Sequence, residues 1–151
     1  MNYSEQEKGA SKYLIKSGQL ISVLPSVQPV SLAEWQQAEG SERVVMIAAA
    51  GVSLPGDIDL FDTGLLEHLH GVELIAVEFA AFTDGRGFSL ATQLRQHGFR
   101  GELRATGAIL VDQLHYLQRC GFDAFELDAK QDLTVALEAL AAFSKAYQPG
   151  W

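Results

Sequence analysis

The chain has 151 residues, 48% hydrophobic and 20% charged, the make-up of one ordinary globular domain large enough to bury a real core. A net charge of −8 argues against a nucleic-acid partner, since phosphate binding needs clustered Lys and Arg, and suits docking on a basic surface. Cys120 is the only cysteine, so an internal disulfide is excluded; no apolar run approaches the roughly 20 residues of a membrane span, and the first residues lack a signal-peptide core, so the cytoplasm is the expected compartment.

In chain order, residues 1–11 are polar and expected to be disordered. Tyr13–Lys16 and Gln19–Val23 read as two short strands around a Ser17-Gly18 turn, an N-terminal β-hairpin. After Pro25 and Pro29, Ser31 is placed to cap a short helix running to about Ala38, with Glu34 completing a capping box. Val44–Ala49 is a continuous apolar run, the pattern of a strand buried on both faces. Gly51–Asp62 contains Pro55-Gly56 and several acids and is expected to be a loop, followed by a helical segment at Gly64–His70. Glu73–Phe79 is a strand. Phe88–His97 is a helix stopped by Gly98. Glu102–Ala105 is a strand, Ala108–Cys120 a helix, Ala124–Leu127 a strand and Gln131–Tyr147 a closing amphipathic helix.

Strands alternating with helices predict an α/β fold: a mostly parallel sheet of repeated β/α units behind the hairpin. It forms one domain over residues 12–148, with 149–151 as a tail. An open sheet and a partial barrel both fit the pattern.

Two clusters have the residue types of a site. The first is Thr83-Asp84-Gly85-Arg86-Gly87-Phe88-Ser89, between a strand end and a helix start. Gly85 and Gly87 allow a tight turn and close backbone approach. Free N–H groups at the helix start, with Arg86 beside them, suit an oxyanion. The alternative is that Asp84 or Ser89 caps the helix and Arg86 pairs with a local acid. The Lys-Ser/Thr pair of a phosphate loop and the three-glycine spacing of a dinucleotide fingerprint are both missing. The second cluster is Arg104 with Asp112 and Gln113, expected at the end of one strand and the start of the next helix. In a parallel sheet both clusters would lie on one edge, so Asp84, Arg86, Arg104 and Asp112 could converge on a crevice, with Glu78 nearby. The competing possibility is a structural network in which Asp112 pairs with one of the arginines.

Other residue types carry less. Cys120 sits at a helix end, where the dipole disfavours a thiolate. His68, His70, His97 and His115 have neither an i, i+4 pair nor a cysteine partner, so no metal is expected. One cysteine cannot supply an iron–sulfur cluster, and no cofactor-binding pattern is present. Trp35 and Trp151 are expected in packing or partner contacts.

The phrases FTDGRGFS, GELRA, DQL and RCGFDAFEL, in this order, with the later FSKAYQ, are distinctive. Across Glu73–Gln148 the chain resembles a bacterial family labelled as domain of unknown function 934. Its members are described as oxidoreductases of sulfite reduction, and their genes commonly lie beside that of the sulfite reductase hemoprotein. The resemblance implies a process, assimilatory sulfur metabolism, and one partner, the sulfite reductase hemoprotein. It supplies no catalytic residues and no mechanism.

Three functions are thus in play. One is an accessory protein or subunit of sulfite reduction without its own redox cofactor. The second is a small enzyme or sensor that binds an oxyanion or phosphorylated metabolite in a crevice at the strand C-terminal ends. The third is a bare interaction domain, with a homo-oligomer possible.

Overall fold

The computed structural model of the chain describes residues 12–17, 19–22, 29–37, 51–61, 69, 71–81 and 85–146. Lys12–Lys16 (β1) and Gln19–Ser22 (β2) pair antiparallel through a two-residue turn, with Lys16 opposite Gln19. Ser17 takes a φ of 53°, the left-handed conformation that a tight hairpin turn demands. Val30–Ser31 (β3) runs directly into Leu32–Gln37 (α1), and Ser31 Oγ accepts the Glu34 N–H at 3.2 Å as the expected cap. Trp35 of this helix is buried and belongs to the core.

Val52–Pro55 (β4) corrects the sequence reading, which made all of Gly51–Asp62 a loop. Val52 and Leu54 are fully buried while Ser53 points the other way, a period of two. The Pro55-Gly56 pair masked this pattern. Pro55 is tolerated because it is the strand's last residue, and Gly56 N–H continues the pairing by donating to Glu78 O at 2.9 Å. The strand expected at Val44–Ala49, the helix expected at Gly64–His70, the N-terminal segment 1–11 and the tail 149–151 fall outside the described residues.

The remaining elements are Leu74–Phe79 (β5), Arg86–Gln96 (α2), Glu102–Gly107 (β6), a 3₁₀ turn at Val111–Gln113, Leu114–Cys120 (α3), Ala124–Asp128 (β7) and Leu133–Ala146 (α4). Helices α2 and α3 end alike. Gly98 and Gly121 take positive φ, while Phe99 N–H reaches Leu94 O and Phe122 N–H reaches Leu117 O. The helix expected from Ala108 starts later, because Gly107 takes a φ of 83° and Leu110 stays extended. Asp132 caps α4, accepting the Val135 N–H at 3.1 Å.

The strand order is β2-β1-β7-β6-β5-β4-β3, an open seven-stranded sheet whose edges are β2 and β3. From β3 to β7 each strand lies parallel beside the one before it. Right-handed crossovers that always step in one direction must place every connecting helix on the same face. The core agrees. Trp35 of α1, Leu90 and Leu94 of α2, Leu114 and Leu117 of α3, and Leu133 and Leu140 of α4 pack in one cluster. With them pack Leu54, Ile75, Val77, Leu103, Phe125 and Leu127, strand residues of a single parity. Each such side chain contributes about 1.5–3 kcal/mol on burial. The buried strand residues of the other parity, Leu14, Ala76, Ala124 and Glu126, lie outside the cluster. The winding is that of a β/α barrel left open, with the hairpin added antiparallel beside β7.

Arg95 of α2 ties the strand N-terminal ends together. Its guanidinium donates to Phe99 O (3.1 Å), Gly101 O (2.9 Å) and Gly121 O (2.7 and 2.9 Å), and lies 3.7 Å from Asp123. Asp123 in turn accepts the Leu103 N–H at 2.8 Å. Burial lowers the Arg95 pKa against the pull of Asp123, and burial raises that of Asp123 despite Leu103 N–H and Arg95. At this end of the β/α units the node fixes backbone geometry.

Candidate functional site

Among the described residues no helix packs on the second face of the sheet, and the register fixes what lies there. One row runs Ser31, Ser53, Ala76, Arg104, Ala124, Lys16 from β3 to β1. Nearer the strand C-terminal ends, Glu78 is level with Thr106, and Glu126 with Leu14. The alternation that sends Ile75 and Val77 to the core necessarily sends Ala76 and Glu78 here. This face is polar where the other is apolar.

Two charge groups occupy it. Glu102 is the hub of the first: Arg104 donates Nε at 2.9 Å and NH2 at 2.7 Å to Oε2, and Lys16 Nζ contacts Oε1. Burial opposes the Glu102 charge, but Lys16 and Arg104 outweigh it and hold the carboxyl below its usual range. In the second group, Glu126 is only 5% exposed and pairs with Lys12 at 3.7 Å. Beside it opens a cavity of about 430 Å³, lined by Lys12, Ser31, Ser53, Glu78, Thr106 and Glu126 among others. Its floor is the small side chain of Ala76.

The residues singled out from the sequence are distributed differently. Asp84 lies outside the described residues. Gly85 precedes α2 and borders a second hollow, of about 560 Å³, between α2 and α3, with Phe88, Thr92, Tyr116 and Cys120. Arg86 pairs with Asp57 at 3.8 Å, both side chains well exposed. Gly87 is buried, and a Cβ there would come within 2.5 Å of the Phe79 ring, so close packing of α2 on β5 requires the glycine. Arg104 is the third residue of a six-residue strand and does not leave its end, because β6 continues to Gly107. It faces the helix-free side and pairs with Glu102. Asp112 is exposed in the 3₁₀ turn, and Gln113 Oε1 accepts the Leu110 N–H at 2.8 Å. The two arginines therefore engage different acids, Asp57 and Glu102.

Sequence reasoning passed over Lys12, Glu126 and Gln131. The first two become neighbours only when β1 docks antiparallel on β7. Gln131 fastens the β6–α3 connection to the β7–α4 connection: its Nε2 donates to Ile109 O (2.7 Å) and its Oε1 accepts Val111 N–H (2.9 Å). Alternating charge in the runs Lys12-Tyr13-Leu14-Ile15-Lys16 and Glu102-Leu103-Arg104 was the available signal for the polar face. Cys120 is buried, and burial raises its thiol pKa against the hydrogen bonds of Thr92 and Tyr116.

A singly wound, one-sided α/β sheet with a polar free face and a cavity at the strand C-terminal ends is the class of protein defined so far. Residues 51–151 match the family model described as bacterial protein of unknown function (DUF934), and the chain belongs to that family. It matches none of the curated proteins and none of the solved structures.

Proposed function

We propose that the chain is an accessory protein or subunit of assimilatory sulfite reduction, acting beside the sulfite reductase hemoprotein without redox chemistry of its own. The process rests on the resemblance of the run from FTDGRGFS to RCGFDAFEL to a family described in those terms. For the activity, the carrying observation is Cys120. It is the chain's one thiol, it is buried, and burial keeps it protonated, so it is a poor nucleophile and electron carrier. The net charge of −8 suits docking on a basic partner. Deletion of the gene should impair growth on sulfate or sulfite, with rescue by sulfide or cysteine. Normal growth on sulfite, in a strain with no second copy, would sink the proposal.

A second reading is favoured by one observation, the cavity on the helix-free face. In β/α architectures ligands are held at the strand C-terminal ends, and this cavity lies there. On that reading the chain is a small-molecule binder or sensor. Saturable binding of any small ligand to that face supports it.

A further inference from the structure

We infer that β2 is a self-association edge, on which a second copy of this chain adds antiparallel and extends the sheet; the inference is independent of both readings above. The alternation along the hairpin carries it. A two-residue turn closes on a hydrogen-bonded pair, here Lys16 with Gln19. Bonded and non-bonded pairs then alternate. Ile21 therefore bonds to Leu14, while Leu20 and Ser22 point their backbone N–H and C=O groups away from β1. Among the described residues β2 ends the sheet, and nothing pairs with those outward groups. Edge strands are ordinarily blunted by a charge, a proline or a bulge. Gln19-Leu20-Ile21-Ser22 carries no charge and no proline, and its register with β1 is unbroken.

The register of the new pairing follows from the same alternation. In an antiparallel ladder, outward groups must meet outward groups. One register uses both Leu20 and Ser22: Leu20 lies opposite the partner's Ser22, and Ser22 opposite the partner's Leu20, about a two-fold axis at Ile21. Each of these pairings exchanges both N–H···O bonds. Ile21 then meets the partner's Ile21 in the non-bonded position, where Cα atoms approach to about 4.5 Å and side chains are closest. Ile21 is 45% exposed, and it lies on the helix-free face because it stands opposite Leu14. Residues opposed across a ladder share a face, so the helices of both copies lie on one side. The contact is self-complementary and closes at two copies.

Charge selects this occupant. An uncharged strand gives a charged partner strand nothing to pair with, whereas two chains of net charge −8 can touch along a neutral strip. Their long-range repulsion and the small area of a four-residue ladder, below the roughly 1,200 Å² of a stable interface, make the dimer weak and concentration-dependent.

Sedimentation equilibrium of the purified full chain from about 10 µM to about 1 mM tests it by mass action. The mass should rise reversibly toward that of two copies. Added salt should increase the dimer fraction, because it screens the repulsion between two acidic chains. Ser22→Pro removes an outward N–H and no bond to β1, and Ile21→Lys sets like charges opposite each other at an exposed position. Each should weaken the dimer by about tenfold or more while the chain stays folded. A monomer mass across the whole range overturns the inference. So does a dimer undiminished in folded Ile21→Lys, since another surface then holds it, or one that dissociates as salt rises, since opposite charges then hold it. Should Ser22→Pro not fold, Ile21→Lys decides.

Discussion

Arg95 donates four hydrogen bonds to three carbonyl oxygens from a side chain that is only 7% exposed. Removing it strands those carbonyls and leaves Asp123 without its cation. Arg95→Leu should cost about 3 kcal/mol, read as a lower denaturation midpoint with an unchanged m-value. Arg86→Ala, by contrast, changes a side chain that is 66% exposed and should alter stability by less than about 0.5 kcal/mol. Glu102 governs part of the acid response. Its folded pKa lies below the unfolded value, so its stabilisation is complete above the ordinary glutamate range and is lost as pH falls through the folded value. Glu102→Gln should therefore lower stability at neutral pH and flatten the acid limb of a stability–pH curve. Cys120→Ala should cost about 1 kcal/mol of packing, leave function intact and, in the wild type, match slow thiol labelling until denaturant is added.

At the scale of elements, Phe79 is where strand, helix and turn meet. Its ring packs on Phe88 and Phe122, at centroid distances of 5.2 and 5.9 Å, and lies against Gly87. Its carbonyl accepts the Ala108 N–H at 2.7 Å, and a Cβ on Gly107 would approach that oxygen to 2.4 Å at a φ already reserved for glycine. Gly107→Ala should thus destabilise by about 2 kcal/mol and shift amide resonances in β5 as well as β6, as both strain and displacement require. Gly85→Ala is the matched control: φ is −87° and only Phe88 approaches, at 4.0 Å, so little change in midpoint is expected. The glycines of one short motif thereby separate into a packing requirement at Gly87 and a permissive turn at Gly85.

For the whole molecule, the consequence of single-direction winding is that, among the described residues, the helices lie on one side of the sheet. A doubly wound sheet would cover both faces and put its crevice at the reversal of strand order; from β3 to β7 there is no reversal. The free face instead holds charge groups that pair with one another: Glu102 with Lys16 and Arg104, and Glu126 with Lys12. Any complex with a basic partner should weaken with rising salt, because a net charge of −8 steers through a field screened within about 8 Å at physiological ionic strength. A co-purified complex that resists high salt would show that apolar contacts, not the acidic charge, hold it.

Local chemistry was enough to read the hairpin turn at Ser17, the cap at Ser31, the glycine stops at Gly98 and Gly121, and the β/α alternation that made the sheet mostly parallel. Each depends on residues within a few positions of one another, so neighbouring side chains already carry the information. β4 was hidden because Pro55-Gly56 is turn chemistry locally, and only pairing with β5 makes Val52–Pro55 a strand. The candidate site was legible in residue type but not in position. Arg86 and Arg104 looked equivalent along the chain, yet one is the exposed first residue of α2 and the other sits mid-strand on the helix-free face. β6 runs two residues past the expected end at Ala105, to Gly107, and this keeps Arg104 on a sheet face instead of at the strand's edge. The meeting of Lys12 with Glu126, and of Lys16 with Glu102, joins residues about a hundred positions apart in sequence and exists only because β1 docks beside β7. Residues close together in the chain specify most of the described elements; which face of the described sheet carries no helix, and which charges share it, follow from strand pairing and crossover direction, which exist only in the assembled sheet.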